Sequence, residues 1–435
     1  MCTLRRSPSA ATTLDQRGSV DSGPVTATAS VIASAPGEAT GADTAPPVVA
    51  PPPGHPRFPL IDSLRAIAAI AVVICHAGGL TVTGGDGFVT RAEAGVALFF
   101  AISGFLLYRP FVSGRLNGAL VPPLTSYLRR RILRIVPAYW LALTLLAIWP
   151  GLTGVFTGHF WIFYGFGQIY NNAYALGGIA PAWTLCIEIT FYLLLPVYAI
   201  AVGRLLGRLP RERQVQAELA LLALIGLASL AYRYVLRADT SFSFVLNALP
   251  THLDWFAPGM ALAVLSAAWQ DRPLPRAAAL VARRPLITVG FAIAAYAVVS
   301  LVVKGPYSVT LGKHLILLYT GPEDVERHFL YACAAIGLLI PAVIGSGAGG
   351  GYRRLLSWRV LAWMGLISYG IYLWHQPLLI EICQPGPELG CAFHGLPALH
   401  RAPLLSLVVC GLIAAVICAT VSYYVVERPI LRFKR

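Results

Sequence analysis

The chain has 435 residues, of which 57% are hydrophobic and only 12% charged, about half the charged share of a soluble domain. That deficit excludes an ordinary water-soluble globule. The net charge of +14 would suit a nucleic-acid partner, but the basic residues stand in short clusters between apolar runs. That is how a membrane protein sets its orientation, and no nucleic acid is expected.

Residues 1–55 are rich in Ala, Pro, Ser, Thr and Gly and close on APPVVAPPPGHP. Such a segment buries too little apolar surface to offset its chain entropy, so a disordered cytoplasmic tail is expected. The opening MCTLRRSPSAATTLDQRG has arginines with no apolar stretch behind them, and is not a signal peptide. From residue 56 onward, apolar runs long enough to cross hydrocarbon recur at 60–80, 93–112, 134–150, 181–202, 215–236, 243–268, 286–304, 328–346, 359–382 and 403–426. The expectation is an all-α, polytopic transmembrane helix bundle over 56–435, with about ten spans in contact with membrane lipids. Segment 157–180 is aromatic but broken by glycines and asparagines, and reads as an interfacial or re-entrant stretch.

Arginines cluster at 129–131 and 134, then at 204, 208, 211 and 213, then at 272, 276, 283 and 284, then at 353, 354 and 359, and again at the C-terminal end. The intervening loops hold few. Alternation of this kind supports the span count and predicts both termini in the cytoplasm; the Ala, Arg, Gly and Pro bias suggests a GC-rich genome, and so a bacterial plasma membrane is expected. The eight cysteines show no zinc spacing, most lie inside apolar runs as small hydrophobes, and no metal is expected. Cys383 and Cys391 share one predicted outside loop, where a disulfide is open.

Ionisable groups at membrane depth are costly and mark candidate sites. The first span carries Asp62, Arg65 and His76. Eleven residues separate Arg65 from His76, roughly 16 Å of rise and about 20° of rotation, so the two share a helix face. Glu188 lies about two turns inside the fourth span, with Tyr192 one turn on. In the ninth span Ser368, Tyr372 and His375 fall on one face, and Pro377 predicts a kink beside the histidine. Ser103-Gly104, at the centre of the second span, suits either close helix packing or a substrate contact. Arg131 and Arg134 line one side of a helix entering from the cytoplasm. They read equally as an orientation cluster or as a fork for phosphates. No Gly-x-Ser-x-Gly, HExxH or Walker A motif is present, which leaves histidine with nearby carboxylate and arginine as the chemical resource.

In this order, Arg65 with His76, FFAISGF at 99–105, RRRILRIVPAYW at 129–140, PAWTLCIEITFY at 181–192, SYGIYLWHQP at 368–377 and VERP at 426–429 resemble the integral-membrane acyltransferase family 3. That family O-acetylates cell-surface polysaccharides and other glycans and glycosides. The resemblance implies a ten-helix bundle, an acyl donor such as acetyl-CoA supplied from the cytoplasm, an acceptor hydroxyl on a sugar, and His76 as the catalytic candidate. On that reading Arg130, Arg131 and Arg134, with Arg65, hold the CoA phosphates, and His76 takes the proton of the attacking hydroxyl. Glu188 or His375 orients His76, positions the sugar or relays the proton. Ser103, Trp183, Tyr192 and Tyr372 are the expected substrate contacts.

Some family members carry a further soluble domain after the bundle. This sequence runs out at Arg435, so transfer is expected to be completed within the membrane. The acceptor is left open among a cell-wall or capsular glycan, a lipid-linked sugar and a glycosylated metabolite. A proton-coupled transporter using His76, Glu188 and His375 is the rival reading, but the inverted repeats common in transporters are not evident. A non-catalytic scaffold is a third.

Overall fold

The computed structural model describes residues 58–81, 87–175, 177–238, 244–305, 307–311, 314–345, 350–383, 391, 393 and 397–434; the tail expected over 1–55 lies outside them. The long helices are α1 (Pro59–Thr81), α2 (Ala94–Asn117), α3 (Leu124–Leu146), α4 (Trp183–Leu206) and α5 (Arg211–Ala238), then α6 (Leu253–Ala268), α7 (Leu286–Leu301) and α8 (Gly321–Val343). They are followed by α9 (Arg359–Leu366), α10 (Ser368–Cys383) and α11 (Pro403–Ser422). Seven helical stretches among the described residues are long and apolar enough to cross a membrane. An eighth appears if Arg276–Arg283 and α7, bent by 83°, count as one span.

The two apolar runs beyond that count are helical but short. Helices α6 and α10 have 16 residues each, about 24 Å of rise, less than the hydrocarbon thickness. Each is lengthened by neighbouring turns, at Leu249–His252 before α6 and through α9 before α10. The predicted kink at Pro377 is replaced by a break at Ile367, because α10 runs through the proline without interruption. Helix α3 begins at Leu124, earlier than the apolar run suggested, so Arg129, Arg130, Arg131 and Arg134 stand on its first turns. The stretch 157–180 is irregular and packs on α3: the Tyr139 hydroxyl donates to the Phe163 carbonyl (2.9 Å) and Trp140 Nε1 to the Tyr164 carbonyl (3.0 Å). One departure from all-α is an antiparallel hairpin, β1 (Tyr307–Leu311) on β2 (His314–Leu318), pairing Tyr307 with Leu318 and Leu311 with His314.

Two kinds of surface explain the packing. On α11, Leu405, Val409, Ile413, Ile417 and Val421 recur every four residues and are all exposed. A stripe of that kind suits hydrocarbon as its solvent. The opposite face, Leu407, Gly411, Ala415, Ala419 and Ser422, is buried. Small residues there let backbones approach, since lipid chains give no hydrophobic drive for helices to associate. A β-carbon on Gly370 of α10 would lie 2.8 Å from that of Ala419.

Helix α2 crosses α6 closely at two points: a β-carbon on Gly259 would fall 1.9 Å from the Ala101 carbonyl and one on Gly104 would fall 2.4 Å from the Phe256 carbonyl. Both obstacles are backbone, which cannot rotate away. Gly259→Val is therefore expected to destabilise the detergent-solubilised protein by about 1–3 kcal/mol, the usual cost of overpacking. A melting temperature equal to wild type would show that the two helices are free to separate.

Polar ties fasten the two ends of the bundle. Glu218 of α5, fully buried, accepts from Tyr108 and forms an ion pair with Arg115, both on α2. At the opposite end Asp324 of α8 holds Arg233 (2.6 Å) and Arg237 (2.9 Å) of α5 and Arg327 of its own helix (2.6 Å). Cys383 and Cys391 are joined as a disulfide.

Candidate functional site

The site is built where α1, α2, α4 and α10 meet. His76 stands near the far end of α1 and His375 on the second turn of α10, 299 residues away in sequence; His76 Nδ1 and His375 Nε2 are 2.9 Å apart. The proton positions follow from the other partners. His375 Nδ1 lies 2.8 Å from the Tyr372 carbonyl and 3.2 Å from that of Ile371. Carbonyls only accept, so Nδ1 of His375 carries its proton, and Nε2 of the neutral ring is left as an acceptor. His76 must then donate from Nδ1, which leaves the lone pair of His76 Nε2 uncommitted. His375 is fully buried, while His76 is partly accessible. The pair thus presents one oriented basic nitrogen, with the rotation and tautomer of its ring set by a second histidine and two backbone carbonyls.

Next to the pair lies a small cleft whose polar lining is Arg65, Thr184, Glu188, Ser368, Tyr369 and Tyr372, with Val96, Phe99, Phe100 and Leu185 as its apolar walls. Tyr372 links the cleft to the histidines, being one turn before His375, with its ring 5.7 Å from the imidazole. Its hydroxyl donates to the Pro181 carbonyl (3.0 Å) and accepts from Thr184 (2.9 Å). Glu188 receives Ser103 on one oxygen and Tyr192 on the other, both at 2.9 Å. The Tyr192 bond follows from the four-residue spacing. The Ser103 bond separates two readings of one dipeptide, since Ser103 reaches the carboxylate while Gly104 turns to α6.

Arg65, Arg131 and Arg134 share one electrostatic field with Glu188 and Tyr192. The Nε atoms of Arg65 and Arg131 are buried without a hydrogen-bond partner. Three guanidiniums against two carboxylates, Glu188 and the Asp62 that acts on Arg65, leave an excess of positive charge in a desolvated place, which an anion with several oxygens would satisfy. Arg130, one position before Arg131, is exposed and lies outside this group.

The structure therefore brings together Arg65, Ser103, Arg131, Arg134, Glu188 and Tyr192 as one cluster and His76, Tyr372 and His375 as another. Glu188, a candidate for orienting His76, is committed to Ser103 and Tyr192; His375 is the group bonded to His76. Trp183 lines neither cluster, and its ring lies 5.4 Å from that of His252.

A further polar group escaped the sequence reading. Asp254 of α6 accepts from Ser229 and stands 3.1 Å from His328 Nδ1, whose ring stacks on Trp255 at 4.1 Å. Arg327 joins Asp324 to Glu93 (2.8 Å). The available signal was an aspartate and a histidine inside the apolar run 243–268, the same criterion that singled out Glu188.

The family described as an acyltransferase domain matches residues 58–424. Among curated proteins the chain is 26% identical to the peptidoglycan O-acetyltransferase OatA of Listeria monocytogenes, over 75% of this chain and 51% of that protein. It is 25% identical to the O-acetyltransferase OatA of Staphylococcus aureus, over the same shares of each. The chain thus spans about half the length of the curated relatives it matches. No solved structure matches it.

Proposed function

This chain belongs to that acyltransferase family, and on that premise we propose that it is a membrane O-acyltransferase carrying an acetyl group from cytoplasmic acetyl-CoA to a hydroxyl of a cell-surface glycan. The observation that carries this reading is the His76–His375 pair, which leaves His76 Nε2 as an oriented base beside a polar cleft. In the reaction, His76 Nε2 accepts the proton of the sugar hydroxyl while its oxygen attacks the thioester carbonyl. The C–S bond breaks, and the same proton passes to the departing CoA thiolate, so the cycle consumes no proton.

The donor is assigned to Arg65, Arg131 and Arg134, whose forks suit the phosphates of CoA. Peptidoglycan, named for the Listeria relative, makes a bacterial wall glycan the first acceptor to try. We read the bundle as ten spans, counting α6 and α10 with their flanking turns, and place both termini in the cytoplasm. The basic clusters support that sense of insertion, as does the Cys383–Cys391 disulfide, since such bonds persist on the oxidising side of a membrane.

The test is reconstituted protein with labelled acetyl-CoA and a glycan acceptor, in which label should move to the glycan with release of CoA. Proton-coupled uptake of a solute without CoA turnover would instead establish a transporter. Arg131→Ala is expected to raise KM for acetyl-CoA about 10-fold, the worth of one charge-assisted hydrogen bond, with a smaller change in kcat. Unchanged donor KM in both Arg131→Ala and Arg134→Ala would remove the donor from this cluster.

A further inference from the structure

The tautomer of the histidine pair depends on where the backbone of α10 stands, because the carbonyls that take the His375 Nδ1 proton belong to Ile371 and Tyr372. The chain breaks at Ile367 just before that helix, so α9 does not hold it in place. Close packing of Gly370 on Ala419 sets how near α10 comes to α11, but a contact between small residues has no direction along the helices. Hydroxyls supply the direction. Tyr369 donates to the Ile135 carbonyl of α3 (2.9 Å), and Tyr372, whose own carbonyl receives His375, reaches the first turn of α4. There the Tyr372 hydroxyl, the Thr184 hydroxyl and the Pro181 carbonyl form a closed triangle with sides of 2.9, 3.0 and 3.0 Å. A carbonyl only accepts, so both hydroxyl protons are spent inside the triangle. Tyr372 therefore lines the cleft with no proton left to give a substrate. Its ring is held as well, edge-on to Phe99 of α2 at 5.9 Å.

We propose that Thr184 and Tyr372 are positioning residues, whose hydroxyls tie α10 to α4 and so hold His375 where it fixes the tautomer of His76. The proposal rests on the acyl-transfer reading for its effect on turnover, but not for its effect on the histidines. Thr184 does not need Tyr372 for its own sake. The Pro181 carbonyl alone would satisfy it, as the Ala77 carbonyl one turn back satisfies Thr81 (2.8 Å). The bond to Tyr372 is additional, and it joins two helices with different tasks. One turn along α4 from Thr184 stands Glu188, which holds Ser103 and Tyr192 beside the arginines. One turn along α10 from Tyr372 stands His375, which holds His76 (2.9 Å). The tie thus sets the register between the cluster assigned to the donor and the nitrogen assigned as base.

The experiment compares wild type, Thr184→Val, Thr184→Ser, Tyr372→Phe and the double variant Thr184→Val with Tyr372→Phe, as full-length protein in lipid. Thr184→Val keeps the shape of the side chain and deletes its hydroxyl. It is expected to lower kcat about 3- to 10-fold, the worth of one neutral hydrogen bond. KM for acetyl-CoA and for the glycan should stay within about 2-fold of wild type, since no substrate contact is removed. Tyr372→Phe should act alike, and the double variant should be no worse than the worse single one, because both belong to one tie. Thr184→Ser should recover most of the loss. Independently of turnover, NMR of ring-labelled histidine should show one tautomer of His76 in wild type and a second in Thr184→Val and Tyr372→Phe. Unaltered histidine spectra in the folded variants would overturn the proposal, whatever kcat does. A raised KM for the glycan with one tautomer retained would make the hydroxyls substrate contacts instead. If Thr184→Val does not fold, Tyr372→Phe carries the same expectation and the same refutation. A second tautomer in a protein that never turns over acetyl-CoA would keep the tie while rejecting the acyltransferase reading.

Discussion

Replacement of His76 by alanine lowers acyl transfer by a factor of about 10²–10⁴, the usual contribution of a positioned general base. The loss falls mainly on kcat, because the arginine cluster assigned to the donor includes none of the atoms removed. His375→Ala should cost less. It deletes the acceptor of the His76 Nδ1 proton (2.9 Å) and so frees the ring to rotate and change tautomer, but the base itself remains. The ordering of the two losses is the informative result. Were His375→Ala inactive and His76→Ala active, the base would be His375 and the tautomer argument would be reversed. Wild-type transfer by folded His76→Ala would remove the mechanism altogether.

The second large effect is on stability. Asp324 is fully buried and holds Arg233, Arg237 and Arg327. Asp324→Ala takes the carboxylate from Arg233 and Arg237, both mostly buried, and leaves Arg327 with Glu93 alone; removal of one partner from a buried ion pair costs about 3–5 kcal/mol. The expected outcome is poor yield in detergent and a strongly lowered melting temperature. Arg237→Ala, at the more accessible edge of the same network, should cost much less. Equal stability of Asp324→Ala and wild type would mean that the arginines find water or lipid phosphate when the carboxylate is gone. Glu218→Ala would then be the comparison at the other end of the bundle, where Arg115 and Tyr108 depend on one carboxylate.

Much of the bundle was legible because the membrane imposes one simple demand, an apolar run long enough to cross it. Each apolar run from 60–80 to 403–426 coincides with helix. The exceptions have physical causes. Hydropathy does not register where a helix is interrupted, so the breaks before α6 and at Ile367 before α10 were not foreseen. It also discounts charged residues, so the beginning of α3 at Leu124, ahead of its arginines, was missed. The hairpin Tyr307–Leu318 lies in a connection that carries no span signal.

The site divides in the same way. Local spacing was enough for Tyr192 on Glu188, for Arg65 and His76 on one face of α1, and for Arg131 with Arg134, because each of these pairs lies on a single helix whose geometry is known beforehand. The partners that decide chemistry come from different helices. His76 meets His375 from α10, Glu188 meets Ser103 from α2, and Tyr372 meets Thr184 from α4. Which helices are neighbours depends on small residues such as Gly259, Gly370 and Ala419 fitting against facing backbone, and no periodicity within one segment encodes that fit. The sequence by itself determined that this is a membrane-embedded helical chain with histidine, carboxylate and arginine at depth. Tertiary structure alone decided which of those groups touch, and therefore which nitrogen of His76 is free to act as a base.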